Sequence, residues 1–234
     1  MPPEAEQSST ASNGSVHDLH DRTIVQIAKT SGCAFLNHAD RIWNDRQIML
    51  IGPNGRLGIE PTNTLDPAAG GGWWDGGFVG DDSDVLAQIS STSGTTGEPK
   101  AIGISRRAVS DTVDRLVRHM ELDDTIREYV GVPVTFSFGL GRARAVAAAG
   151  GAVFLPQNGF RPDEIADMLR SQSINALSAV PTMLRVILAN PELLGGVGKH
   201  LRWLEIGSQF MAAEEKKAVR ALFPNAIILQ HYGL

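Results

Sequence analysis

The sequence predicts an α/β protein, a mostly parallel sheet with helices on both of its faces. Two observations carry this. From Ser105 onward, apolar runs of strand length alternate with helical patterns, and strands separated by helices of that length pair in parallel. The helical patterns also carry start and stop signals where such helices need them. Ser105 stands before Arg106, Pro162 is followed by Asp163 and Glu164, Pro181 follows an apolar run, and Gly150 and Gly151 close an alanine-rich stretch.

In chain order, residues 1–20 are small, polar and unpatterned and read as a disordered tail; His17 and His20, three apart, lack a further metal ligand nearby. Residues 21–59 read as a small α/β segment. Ile24, Ile27 and Ala28 mark a helical face ended by Gly32, Cys33 to Leu36 reads as a strand, Gln47 to Ile51 as another, and Pro53 to Arg56 as a turn. Residues 60–84, with Gly70 to Gly72, Trp73, Trp74 and the cluster Asp81, Asp82 and Asp84, read as a long surface loop or linker whose tryptophans pack back onto the body or stack on a ligand. Residues 85–234 then form the core. Its expected strands are Val85 to Ser90, Ala101 to Ile104, Gly131 to Val134, Ala152 to Leu155, Asn175 to Val180, Arg202 to Ile206 and Ala226 to Gln230. Its expected helices are Arg106 to Met120, Ala143 to Ala149, one from Pro162, one from Pro181, and Ala212 to Phe223.

Between the first two of those strands stands STSGTTGEPK, Ser91 to Lys100. Glycines let successive N–H groups converge on an anion, hydroxyls add donors and Lys100 supplies positive charge, so the stretch reads as a phosphate cradle, with a flexible Gly/Ser/Thr loop as the bland alternative. It is not a Walker loop. Glu98 and Pro99 separate Gly97 from Lys100, and neither serine nor threonine follows the lysine.

Bulk properties narrow the classes. A chain of 234 residues, 42% hydrophobic and with net charge -5, has material for a sizeable core but no basic cluster for nucleic acid. A single cysteine, Cys33, excludes an internal disulfide and fits a reducing cytoplasm, and no window reaches the length of a membrane span.

The stretch Ser91 to Lys100 closely resembles the signature loop of adenylate-forming enzymes: acyl-CoA synthetases, aryl acid ligases, luciferases and peptide-synthetase adenylation domains. Only Ala101 departs from it, where that family has glycine. Further segments resemble the family in the right order. Gly207-Ser208-Gln209 is similar to its adenine-lining loop and His231-Tyr232-Gly233-Leu234 to the start of its Y-G-x-T-E motif. Val132 to Leu140 is similar to the segment that walls the carboxylate pocket, and Val180 to Arg185 matches another.

The resemblance, from Asp21 to the end, implies part of that family's large N-terminal domain and activation of a small-molecule carboxylic acid by ATP and Mg2+, with CoA or an acyl carrier protein as acceptor. It implies Thr92, Ser93, Gly94, Thr95, Thr96, Gly97 and Lys100 as phosphate binders, and Gly207, Ser208, Gln209, His231, Tyr232 and Gly233 around the adenine. Phe136, Ser137, Phe138 and Gly139 would meet the acid, with Leu140 completing the wall; Gly139 stands where amino-acid-activating relatives carry the aspartate that pairs with an α-ammonium, so an uncharged acyl or aryl acid is expected. The sequence stops at Leu234, before the family's magnesium glutamate, ribose-binding aspartate and catalytic lysine. On this resemblance the chain is a truncated piece, a split subunit or a degenerate relative, and is expected not to turn over alone. A non-catalytic nucleotide-binding or interaction module is the rival reading.

Overall fold

A computed structural model describes residues 19, 22–27, 32–51, 59–65, 70–91 and 100–231. Among these residues the strands form two sheets rather than one. The first has the order β3-β1-β2-β5-β6 and comprises β1 (Ile24–Ile27), β2 (Ile48–Ile51), β3 (Asn63–Leu65), β5 (Leu86–Ser91) and β6 (Ala101–Ser105). The second has the order β11-β10-β9-β7-β8-β4. It comprises β4 (Gly72–Trp74), β7 (Arg127–Val130), β8 (Ala152–Leu155), β9 (Ala176–Ala179), β10 (Trp203–Ile206) and β11 (Ile227–Gln230). Each sheet is parallel except at one edge, where β6 runs against β5 and β4 against β8.

Helices fill both sides of the second sheet. Helix α1 (Cys33–Asn44) touches β1 and β2 of the first sheet and β4 of the second, α2 (Arg106–His119) touches β5, β6 and α3 (Ser137–Ala148), and α3 touches β7 and β8. These three helices therefore lie between the sheets, and one buried cluster takes side chains from both, including Val25, Met49, Val130, Val153 and Trp203. The opposite face of the second sheet is covered by α4 (Pro162–Arg170), α5 (Pro181–Ala189) and α6 (Ala213–Leu222), with Ile165, Leu169, Leu177, Leu184, Leu204 and Val219 in a second cluster.

Local chemistry explains the helix boundaries. The Ser105 hydroxyl accepts the Ala108 N–H at 3.2 Å, capping α2. Pro162 occupies the first position of α4 with Asp163 and Glu164 in its first turn, where carboxylates face the positive end of the helix dipole. At α6 the Glu215 carboxylate reaches back to accept the Ala212 N–H at 2.9 Å.

Several local expectations are corrected. Ile24–Ile27 is a strand, not a helix: it sits between β2 and β3 and all four residues, Gln26 included, are buried, so both faces are covered and the three-residue spacing of isoleucines misleads. Cys33 to Leu36 opens helix α1 instead of forming a strand; the decisive pattern is Phe35, Leu36, Ala39, Ile42 and Trp43, buried at helical spacing. Gly131 to Val134 lies beyond the end of β7. The Gly131 N–H still reaches the Ser178 carbonyl at 3.0 Å, but Pro133 has no N–H to continue the ladder, and the chain turns there with Phe136 N–H on the Pro133 carbonyl at 3.1 Å. Strand β6 is an exposed edge strand, with Ile102 46% exposed. Helix α3 starts at Ser137, six residues before its alanine-rich part.

Within 60–84 the short strands β3 and β4 occur. Trp74 is buried and donates its indole N–H to Asn37 Oδ1 at 3.0 Å, while Trp73 stands edge-on to Phe154. Both tryptophans thus pack onto the body. The expected turn at Pro53 to Arg56 lies outside the described residues.

Candidate functional site

Parallel sheets leave their carboxyl ends open to ligands. In the first sheet, Ser91 at the end of β5 pairs with Ala101 at the start of β6, so residues 92–100 connect two neighbouring antiparallel strands. Lys100 is exposed at the near edge of β6. Thr92, Ser93, Gly94, Thr95, Thr96 and Gly97 lie outside the described residues, as do Tyr232 and Gly233.

In the second sheet, β7, β9, β10 and β11 are consecutive neighbours, and their carboxyl ends lead into the segments singled out in the sequence. The ladder continues past each strand end: Gly207 N–H reaches the Ala179 carbonyl at 3.3 Å and His231 N–H the Ile206 carbonyl at 3.1 Å. Three of the candidate residues meet there. The rings of Phe138 and His231 stand edge to face with centroids 4.8 Å apart, and a Cβ on Gly207 would lie 2.7 Å from Phe138 Cε1 and 2.8 Å from His231 Cε1. Glycine at 207 is therefore a requirement of this contact. The next residue, Ser208, has φ +73°, a left-handed conformation uncommon for serine, and it turns the loop so that Gln209 N–H meets the Gly207 carbonyl at 2.9 Å. Gln230 Nε2 donates to the Gln209 carbonyl at 3.0 Å and ties the loop to β11.

The segment before and inside α3 divides. Phe136 is 56% exposed and Ser137 is exposed, so both face outward beside Phe138. Gly139 does not line a pocket: a Cβ there would sit 2.6 Å from the Pro133 carbonyl oxygen and 2.7 Å from that of Val132. Leu140, expected in the pocket wall, is 2% exposed and belongs to the core between the sheets.

Beneath the Phe138–His231 contact lies a buried charge cluster that sequence reasoning missed. Glu128 on β7, Arg142 on α3 and Glu205 on β10 have side chains 1%, 1% and 4% exposed. Arg142 donates Nε to Glu128 Oε1 at 3.0 Å and Nη2 to Glu128 Oε2 at 2.5 Å, a bidentate pair. Its Nε also lies 2.8 Å from Glu205 Oε2, and Glu205 Oε1 lies 2.7 Å from His231 Nδ1. The last two are close contacts rather than well-aligned hydrogen bonds, since neither Glu205 Oε2 nor His231 Nδ1 meets hydrogen-bond geometry. Burial alone would raise the Glu205 carboxyl; the Arg142 charge, and then His231, outweigh it and hold the group below the ordinary glutamate value. Burial likewise acts against the Arg142 charge, and Glu128 and Glu205 overcome it.

Among the described residues no group of three or more histidine, cysteine, aspartate or glutamate side chains is placed to hold a metal ion. No helix among them is long and apolar enough to cross a membrane.

A family model described as AMP-binding enzyme matches residues 20–234. The chain belongs to the AMP-binding enzyme family. Among curated AMP-binding relatives, phenyloxazoline synthase MbtB of Mycobacterium tuberculosis is 27% identical over 147 residues, 62% of this chain and 10% of that protein. Glycine betaine reductase ATRR of Emericella nidulans is 30% identical over 157 residues, 66% of this chain and 12% of that protein. Among solved structures, apo MatB from Rhodopseudomonas palustris superposes with a TM-score of 0.66 at 22% identity over 91% of this chain and 50% of that one. A long-chain-fatty-acid-CoA ligase from Archaeoglobus fulgidus gives 0.70 at 14% identity over 94% and 54%. At those identities the likeness is one of fold. The chain spans about half the length of these solved structures and a small part of the curated relatives.

Proposed function

We propose that this chain is the nucleotide-binding part of an enzyme that activates a carboxylic acid as its acyl-adenylate. A carboxylate oxygen attacks the α-phosphorus of ATP, the bond from that phosphorus to the bridging oxygen breaks, and pyrophosphate leaves. Such chemistry is governed by positioning and by cancelling charge on the polyphosphate. Lys100 and the hydroxyls of Thr92, Ser93, Thr95 and Thr96 would hold the leaving pyrophosphate. Gly207 to Gln209, His231 and Tyr232 with Gly233 would place the adenine, and Phe136, Ser137 and Phe138 would border the acid. Transfer to the thiol of CoA or of a carrier protein would follow.

The observation that carries this reading is the meeting of Phe138, Gly207 and His231 at adjoining strand ends in a chain that belongs to the AMP-binding enzymes. Gly139 bears on the acid. Its closed surroundings leave no room for a carboxylate, and Glu205, the acid the fold brings near, is already engaged by Arg142 and His231. An α-ammonium group would stay uncompensated there, which favours acids without one.

The test is acid-dependent ATP–pyrophosphate exchange by the full-length protein. Exchange that depends on added carboxylic acid supports the ligase. Nucleotide binding with no exchange across a broad acid panel favours the rival, a non-catalytic module built on this fold.

A further inference from the structure

The ground under the Phe138–His231 contact is charged, where a pocket for a hydrocarbon tail would be apolar. Glu205 touches His231 on one side and Arg142 Nε on the other, and Glu128 grips the same guanidinium through Nε and Nη2. On the next strand, Ser178 is the register partner of Glu205, and its buried hydroxyl has no hydrogen-bond partner among the described residues.

We propose that the Glu128–Arg142–Glu205–His231 cluster forms the floor of the acid site and restricts the substrate to short carboxylic acids whose tail ends in a hydrogen-bonding group. The inference rests on the reading of this site as acid-activating and names its substrate class. A methylene entering an apolar pocket gains about four-fold in affinity. A methylene pushed past Phe138 would instead lie against desolvated ions or separate His231 from Glu205, and both are unfavourable. A short tail ending in a hydroxyl or amide can stop at His231 and add a hydrogen bond to the cluster.

The test uses non-hydrolysable acyl-adenylate mimics in which a sulfamate replaces the phosphate, so that no turnover is required. Calorimetry on the full-length protein compares ATP, a 3-hydroxypropanoyl mimic and an octanoyl mimic. The expected result is ATP binding together with at least about ten-fold tighter binding of the hydroxylated mimic than of the octanoyl one. If ATP and both mimics bind but the octanoyl mimic binds as tightly or more tightly, this inference is overturned while the adenylation reading stands. If neither ATP nor any mimic binds, both fall. The triple variant Glu128→Leu, Arg142→Met, Glu205→Leu removes the cluster without leaving an unpaired buried charge, and should shift the preference toward the octanoyl mimic. Retention of the wild-type ranking in the folded variant contradicts the assignment of the cluster. Should that variant not fold, the ranking of mimics by the unaltered protein decides.

Discussion

Phe138 and His231 meet edge to face with ring centroids 4.8 Å apart, one from the first turn of α3 and the other from the end of β11, and Gly207 is the residue that lets them touch. A methyl group in Gly207→Ala would press on the tips of both rings. Since ring tips can move where backbone cannot, the expected loss of stability is only about 1 kcal/mol. The loss of ATP affinity should be the larger effect, because the ring pair and the loop after β10 shift together. Urea denaturation and calorimetry on the same variant check this, and a variant with unaltered ATP affinity contradicts it.

Gly139→Asp should behave oppositely. The atoms a side chain would strike there are the Pro133 and Val132 carbonyl oxygens, at 2.6 and 2.7 Å, and they belong to the backbone turn that starts α3. The variant is expected to lose about 1–3 kcal/mol or more of stability without gaining a preference for α-amino acids. A stable variant that prefers an amino acid to its des-amino analogue in pyrophosphate exchange would show that the residue faces the acid after all.

Arg142→Met leaves Glu128 and Glu205 buried without their counter-charge. Breaking a buried pair from one side costs about 3–5 kcal/mol, so the urea midpoint should fall steeply. A loss below about 1 kcal/mol would mean that the cluster is not the closed network described.

Asp81 provides a pH test away from the site. Hydrogen bonds from the Ser83 side chain and backbone, then from Arg106, with the nearby charge of Arg46, lower its carboxyl from 3.8 to about 2. A depressed carboxylate contributes stability that is fully present above its unfolded value and is lost as pH falls, here from 3.8 through about 2. An NMR titration should place the Asp81 midpoint near 2 and Ser83→Ala should raise it; a midpoint at 3.8 in the unaltered protein contradicts the assignment.

The sequence resolved those parts of the fold whose signals are local. The Ser105 cap, the proline at the start of α4 and the apolar runs of β8, β9, β10 and β11 are each legible within a few residues, and the structure places them as expected. Ile24–Ile27 and Cys33 to Leu36 were harder, because short, largely apolar runs fit a buried strand and a helix face equally well. The continuation of the second run at helical spacing, through Ala39, Ile42 and Trp43, separates them. The Glu128–Arg142–Glu205 cluster left no signal at all: its members come from β7, α3 and β10, and nothing in their neighbourhoods along the chain sets them apart from surface charges. The contact between Phe138, Gly207 and His231 was legible only as three segments in order, not as a contact.

The most direct measurement of the central claim is calorimetry of ATP with the protein and with Lys100→Ala. Lys100 is exposed and stands immediately before β6, and it is the residue proposed to meet the polyphosphate. Removing a charge-assisted contact costs about 1.5–3 kcal/mol, so ATP affinity should fall about ten-fold or more. Unchanged affinity in Lys100→Ala, or no ATP binding by the unaltered protein, would contradict the account.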